Sequence, residues 1–160
     1  MANEITVTIS ESWTGNTGTV NSTHTHQVSD IVDIYKRIVS VPSGTDTTIA
    51  TFDDAVSDGV LTAFDLQVVE YIRVTNIHGS NPVNLQLIID NSANGAADAS
   101  ATVYLKAGDS WMHWNPDAGI VVRDDAATYE VADGDLLGLV VDSISAASLV
   151  EIVVASKTAA

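Results

Sequence analysis

The sequence predicts an all-β protein: an antiparallel β-sandwich of jelly-roll type, with eight or nine strands in a single domain over residues 1–160. Three observations carry this expectation. Apolar residues recur at every second position through much of the chain, the spacing that a half-buried strand requires. Clusters of Gly, Pro, Asn, Asp and Ser interrupt these segments about every eight to twelve residues, as in sandwiches and barrels. No segment carries a helical stripe longer than about two turns, and no internal repeat of fixed period is present.

The first strand begins almost at once. Glu4-Ile5-Thr6-Val7-Thr8-Ile9-Ser10 alternates cleanly, with Ile5, Val7 and Ile9 inward, and its β-branched residues suit a pleated surface. Residues 13–27 are mostly Ser, Thr, Asn and Gly. The stretch at about 13–29 therefore reads as a polar loop or surface arm with little to bury.

From 30 to 41 the signal is mixed. Ile31, Ile34, Tyr35 and Ile38 have helical spacing, whereas the β-rich run from Ile34 onward leads straight into the turn Pro42-Ser43-Gly44. A strand over at least 36–41 is favoured, with 47–52 returning beside it as a hairpin. Asp53-Asp54-Ala55-Val56-Ser57-Asp58-Gly59 is a turn segment.

The central stretch, 70–114, reads as a meander of antiparallel strands with one face toward a core. Ile72 and Val74 alternate with Tyr71, Arg73 and Thr75; then Val83, Leu85, Leu87 and Ile89 share one face; then Thr102-Val103-Tyr104-Leu105 leads through Ala107-Gly108-Asp109-Ser110 into Trp111-Met112-His113-Trp114. Ile120-Val121-Val122 is a short strand. Residues 136–142 and 149–155 form a final pair, with Val150, Ile152 and Val154 on one face.

Composition narrows the function classes. Hydrophobic residues make up 46% and charged ones 17%, a globular balance. With 21 acidic against six basic residues the net charge is −15. Nucleic-acid binding relies on Lys and Arg displacing counterions, so direct nucleic-acid binding is not expected. Anionic membranes are disfavoured for the same reason, whereas a basic protein surface or a divalent cation would be attracted. The absence of cysteine excludes disulfides, thiolate metal sites and cysteine nucleophiles. Met1-Ala2-Asn3-Glu4 lacks the regions of a signal peptide, and no apolar run is long enough to span a bilayer; synthesis in a cytoplasm is expected.

Candidate sites are few. His24 and His26 would share one face of an extended segment and could hold a transition metal with His113 or an Asp as third ligand, although solvated loop histidines have the same pattern. Asp53, Asp54 and Asp58, Asp90 with Asn91, Asp124-Asp125, and Asp133 with Asp135 supply hard oxygen donors suited to calcium; none matches an EF-hand loop, and acidic residues also cap turns without an ion. Trp111 and Trp114 alternate, so one should face the core and the other the opposite side. An exposed member of that pair, with Tyr71 or Tyr104, could stack on a sugar or anchor a protein partner; the same residues serve equally as core or subunit packing. No nucleophile elbow, P-loop or dinucleotide fingerprint is present; Glu70, Glu130 and Glu151 could supply paired carboxylates, although carboxylates on strands commonly face solvent. The chain is not expected to be an enzyme.

The course Ile72-x-Val74-Thr75-Asn76, Pro82-Val83-Asn84-Leu85 and Leu105-Lys106-Ala107-Gly108-Asp109-Ser110, with the small size and early first strand, resembles the β-sandwich proteins of tailed-bacteriophage virions over about residues 36–155. Head decoration (cement) proteins and related small head or tail accessory proteins are the group most resembled. The resemblance implies no active site and no cofactor. It implies many copies on the virion, often as homotrimers, bridging neighbouring subunits of the major capsid protein against internal genome pressure. The polar arm would order on the partner, with Trp13 as its anchor, and Tyr104, Trp111 and Trp114 complete the partner-binding candidates. Ile88, Val153 and Tyr104 sit on outward faces and would be subunit contacts, unless that sheet is covered on both sides. The alternative is a carbohydrate-binding jelly-roll module, lectin-like, with or without calcium, in which Trp111 or Trp114, Tyr104 and one acidic turn form the sugar site.

Overall fold

The computed structural model describes residues 3–16, 18–53, 62–90, 99–114 and 135–157. Within them lie eleven strands: β1 (Ile5–Gly15), β2 (Gly18–Val28), β3 (Asp33–Val41), β4 (Thr47–Asp53), β5 (Ala63–Asp65), β6 (Val69–Asn76), β7 (Val83–Asp90), β8 (Ala99–Leu105), β9 (Ser110–Trp114), β10 (Asp135–Ser143) and β11 (Ser148–Ser156). A single 3-10 turn at Leu66–Val68 is the one helical element among the described residues.

Nine of these strands build a two-layer sandwich, one sheet in the order β5-β4-β10-β7-β8 and the other β3-β11-β6-β9. Four antiparallel pairs are nested in the chain: β7 with β8, β6 with β9, β4 with β10, and β3 with β11. A long double strand rolled up on itself gives this pairing, which is the jelly roll. The remaining two strands, β1 and β2, form a separate two-stranded sheet.

Alternation decides which side chains meet between the layers. In β7, Val83, Leu85, Leu87 and Ile89 are buried; facing them from the other sheet are Ile72 and Val74 of β6 and Val150, Ile152 and Val154 of β11. Leu139 and Val141 of β10 and Ile49 and Phe52 of β4 complete one continuous core. At about 25 cal/mol per Å² of apolar surface removed from water, side chains of this size each stabilise the fold by roughly 1.5–3 kcal/mol.

Several expected strand partners differ. β3 and β4 lie in different sheets, so 36–41 and 47–52 are not a hairpin. β6 and β7 are likewise split, as are β8 and β9, so 70–114 is not one meander; only β7 and β8 pair as neighbours in sequence within it. β10 and β11 also belong to opposite sheets instead of pairing. Period-two burial looks the same whether the next strand lies alongside or across the core, and here the chain mostly crosses. The helical alternative at 31–38 gives way to β3, which begins at Asp33 and sends Tyr35 inward and Ile34 and Ile38 outward. The expected strand at 120–122 lies outside the described residues.

One crossing is held by Asn76, which is fully buried at the end of β6. Its Nδ2 donates to the carbonyls of Asn81 (2.8 Å) and Leu105 (3.1 Å), while its Oδ1 accepts from the His78 N–H (3.1 Å). Its backbone N–H donates to the Asp109 carbonyl and its carbonyl accepts from the Gly108 N–H. Gly108 has a φ of 86°, which a side chain would make costly. One amide thus ties the β6–β7 crossing to the β8–β9 turn, with every polar group satisfied.

Candidate functional site

The stretch expected to be a polar loop is strand. β1 and β2 pair in unbroken register from Ile5 opposite Val28 to Gly15 opposite Gly18. Threonine is β-branched and favours a pleated backbone, so a Thr-rich polar segment can extend a ladder. One face of this ribbon is wholly polar, pairing Thr6 with Gln27, Thr8 with Thr25, Ser10 with Thr23, Ser12 with Asn21 and Thr14 with Thr19. Ser12 Oγ donates to Asn21 Oδ1 (2.8 Å), and the Thr14 and Thr19 hydroxyls lie 3.2 Å apart. The other face carries Ile5, Val7, Ile9, Glu11 and Trp13 against Val28, His26, His24, Ser22 and Val20.

The two halves of the ribbon have different surroundings. At its base, Ile5, Val7, Val28 and the following Ile31 pack on Tyr71, Val153, Ala155 and Trp114, forming a second core on the outer face of the β3-β11-β6-β9 sheet. Val153, an outward residue expected to contact a subunit or belong to a doubly covered sheet, is covered by the chain's own ribbon. Backbone bonds fix this junction: Ile31 N–H to the Asn3 carbonyl (3.0 Å) and Val32 N–H to the Ser156 carbonyl (2.9 Å). From Ser10 to Thr25, by contrast, the described residues are exposed on both faces except for Gly15. Gly15 is covered by Trp13, whose indole occupies the space a Cβ would need. Trp13 and its partner Val20 are still 59% and 62% exposed.

Beside the ribbon, the outer face carries an ion-pair cluster. Glu151 accepts from Arg73 Nη2 at 2.6 Å and lies 2.9 Å from Lys36 Nζ. The Lys36 ammonium, more than the Arg73 guanidinium, holds the Glu151 carboxyl below its ordinary range against the opposing effect of burial. Burial pushes the Tyr71 hydroxyl up, partly offset by Arg73.

At the base, a hollow of about 540 Å³ is bordered by His26, Val28, Glu70, His113 and Trp114. The His26 ring stacks on Trp114 at 5.2 Å between centroids. His113 lines this hollow too, and burial lowers its pKa. Among the described residues no group of three or more His, Asp or Glu is placed to hold a metal. His24 and His26 do share a face, on β2.

The other candidates are dispersed. Trp111 packs against the inter-sheet core and Trp114 against the second core, so the pair faces opposite ways. Tyr104 lies on the outer face of the other sheet and is 54% exposed. The aromatics proposed for one sugar platform are therefore on three different surfaces. Near Tyr104, a polar hollow of about 200 Å³ is lined by Asp46, Asn84, Gln86, Thr102 and Asp142. Asp54, Asp58, Asn91, Asp124, Asp125, Glu130 and Asp133 lie outside the described residues. Asp53 ends β4 and Asp90 ends β7, where Asp90 is buried. Glu70 pairs with Lys157, whereas Glu151 stands opposite Thr75, five residues along β6. At about 3.3 Å per residue that is roughly 16 Å, too far for the carboxylate pair of a glycosidase.

Residues the composition concealed are Val20 and the outward triplet Ile34, Lys36 and Ile38. The available signal was alternation continuing in phase through Ile9-x-Glu11-x-Trp13 and resuming at Val20 beyond the glycines.

No protein-family description matches this sequence, and no curated protein matches it. A solved structure from work on Bacillus endospore appendages, a family of disulfide-linked pili, is similar at a TM-score of 0.36 and 14% identity, over 78% of this chain and 89% of that one.

Proposed function

We propose that the chain is a non-enzymatic structural protein that decorates a virion capsid as a homo-oligomer, a trimer in the simplest case, bridging neighbouring capsid subunits. The observation that supports this most is the β1–β2 ribbon: an arm on the sandwich whose described residues from 10 to 25, Gly15 apart, are exposed, and which is tipped with Trp13 and Val20. A two-stranded hairpin alone is marginal in water, and large aromatic residues on such a tip are the usual anchors of protein contacts. The resemblance of the strand course to phage head accessory proteins is what suggests the setting.

Co-sedimentation with capsids lacking this protein tests it. Saturable binding of the wild type, reduced more than about 30-fold by Trp13→Ala, is expected of an anchor residue. No binding to the particle at saturating protein overturns the capsid role.

The hollow beside Tyr104 favours a second reading, a sugar-binding face. Two carboxylates, two amides and an exposed aromatic are the groups that grip a saccharide by hydrogen bonds and stacking. A glycan array with and without calcium tests it. A specific signal lost in Tyr104→Ala supports the sugar role, and silence in both conditions removes it.

A further inference from the structure

The distal ribbon and the outer face of β3 are complementary surfaces, each exposed within one chain, with Ile34 bordering the hollow beside the ribbon base. Along β1 the ribbon presents Ile9, Glu11 and Trp13, an acid between two apolar residues at strand spacing. Along β3 the sheet presents Ile34, Lys36 and Ile38, a base between two apolar residues at the same spacing, with Leu149 of β11 nearby. Ile38 is 57% exposed, the Lys36 side chain 60%, and Ile34 and Leu149 are also exposed.

Charge points the same way. Residues 3–28 contain Glu4 and Glu11 and no Lys or Arg. In a chain of net charge −15, the β3 patch is locally positive: Lys36 and Arg73 against Glu151 leave one positive charge. Two copies of so acidic a chain repel at most surfaces, and the ribbon tip against this patch is a pairing in which opposite charges meet. The contact also continues one already made. The ribbon base lies on this same outer face through Ile5, Val7 and Val28.

We infer that the distal half of the ribbon of one copy lies on the outer β3–β11 face of a second copy, with Ile9 and Trp13 against Ile34 and Ile38 and Glu11 facing Lys36. Donor and acceptor are different surfaces, so the association is head-to-tail. It closes into a ring or grows as a fibre according to the rotation at each step. This deepens the proposed function by naming what the ribbon holds, and it rests on that reading for its biological setting only.

Sedimentation velocity on the purified full chain, over a concentration series without capsids, tests it. The wild type forms species larger than a monomer that grow with concentration. Trp13→Ala and Ile38→Asp each weaken association more than about 30-fold, and Glu11→Lys weakens it about tenfold. All three positions are exposed, and a β-type circular-dichroism spectrum with an unchanged melting temperature verifies folding. An equimolar mixture of Trp13→Ala and Ile38→Asp restores one dimer and nothing larger, because one variant keeps a working ribbon and the other a working face. A wild type that stays monomeric overturns the inference, as does Ile38→Asp assembling like the wild type. A monomer that still binds capsids leaves the decoration role standing without self-association, and assembly without capsid binding leaves the reverse.

Discussion

The sandwich and the ribbon use the same alternation to different ends. In β7 every second residue is a large aliphatic with a facing layer to meet, and the strand is buried on that side from end to end. In β1 the same alternation runs through Ile5, Val7 and Ile9 to Trp13, yet only the first residues find a partner surface. Within the sandwich, stability and alternation are one property. In the outer ribbon, alternation survives without burial, and cross-strand hydrogen bonds of the polar face accompany the backbone ladder. The difference separates a part of the molecule whose apolar residues meet a facing layer from a part whose apolar residues stay exposed.

The widest gap between the two regions is expected from cavity formation. Leu139→Ala, at a fully buried site, should cost about 2–5 kcal/mol in chemical denaturation. A loss under about 1 kcal/mol would mean that the two sheets are not tightly packed there. Asn76→Ala leaves the His78 N–H and two carbonyls without their partner, and a loss of about 2 kcal/mol is expected. An unchanged melting temperature would show that the β6–β7 crossing does not depend on this amide.

Glu151→Gln tests the cluster between the two regions and should cost about 1–2 kcal/mol at neutral pH. The folded-state pKa of Glu151 lies below its ordinary value of 4.5. The stability it supplies is therefore complete above that value and is lost as pH falls below it. Wild-type and variant stabilities should converge in acid, and a difference that persists there would assign the effect to packing. The smallest effect is expected at the tip: Trp13→Ala should move stability by no more than about 0.5 kcal/mol while weakening association more than about 30-fold. A larger loss would place the indole in the fold's own stability through its cover of Gly15.

Much of this was legible before any fold was known. The inward sets Ile72 and Val74, Val83 through Ile89, and Val150 through Val154 follow from alternation alone, as does the opposite facing of Trp111 and Trp114. The ribbon was hidden because Ser, Thr, Asn and Gly read as loop by composition, although its threonines and the phase shared by Ile9, Glu11 and Trp13 fit a strand. The β3 patch was hidden because Ile34 and Ile38 also fit a helical period.

The amino-acid order by itself determined that the chain is all-β and which side of each sandwich strand turns inward, because those follow from the two-residue repeat of an extended backbone. Only the tertiary structure decided the partners: that β3 meets β11 instead of β4, that Val153 is covered by β1 and β2, and that Trp13, Trp111 and Tyr104 stand on separate surfaces. Pairing depends on which layer a strand enters after each crossing, and residues far apart in the chain settle that jointly.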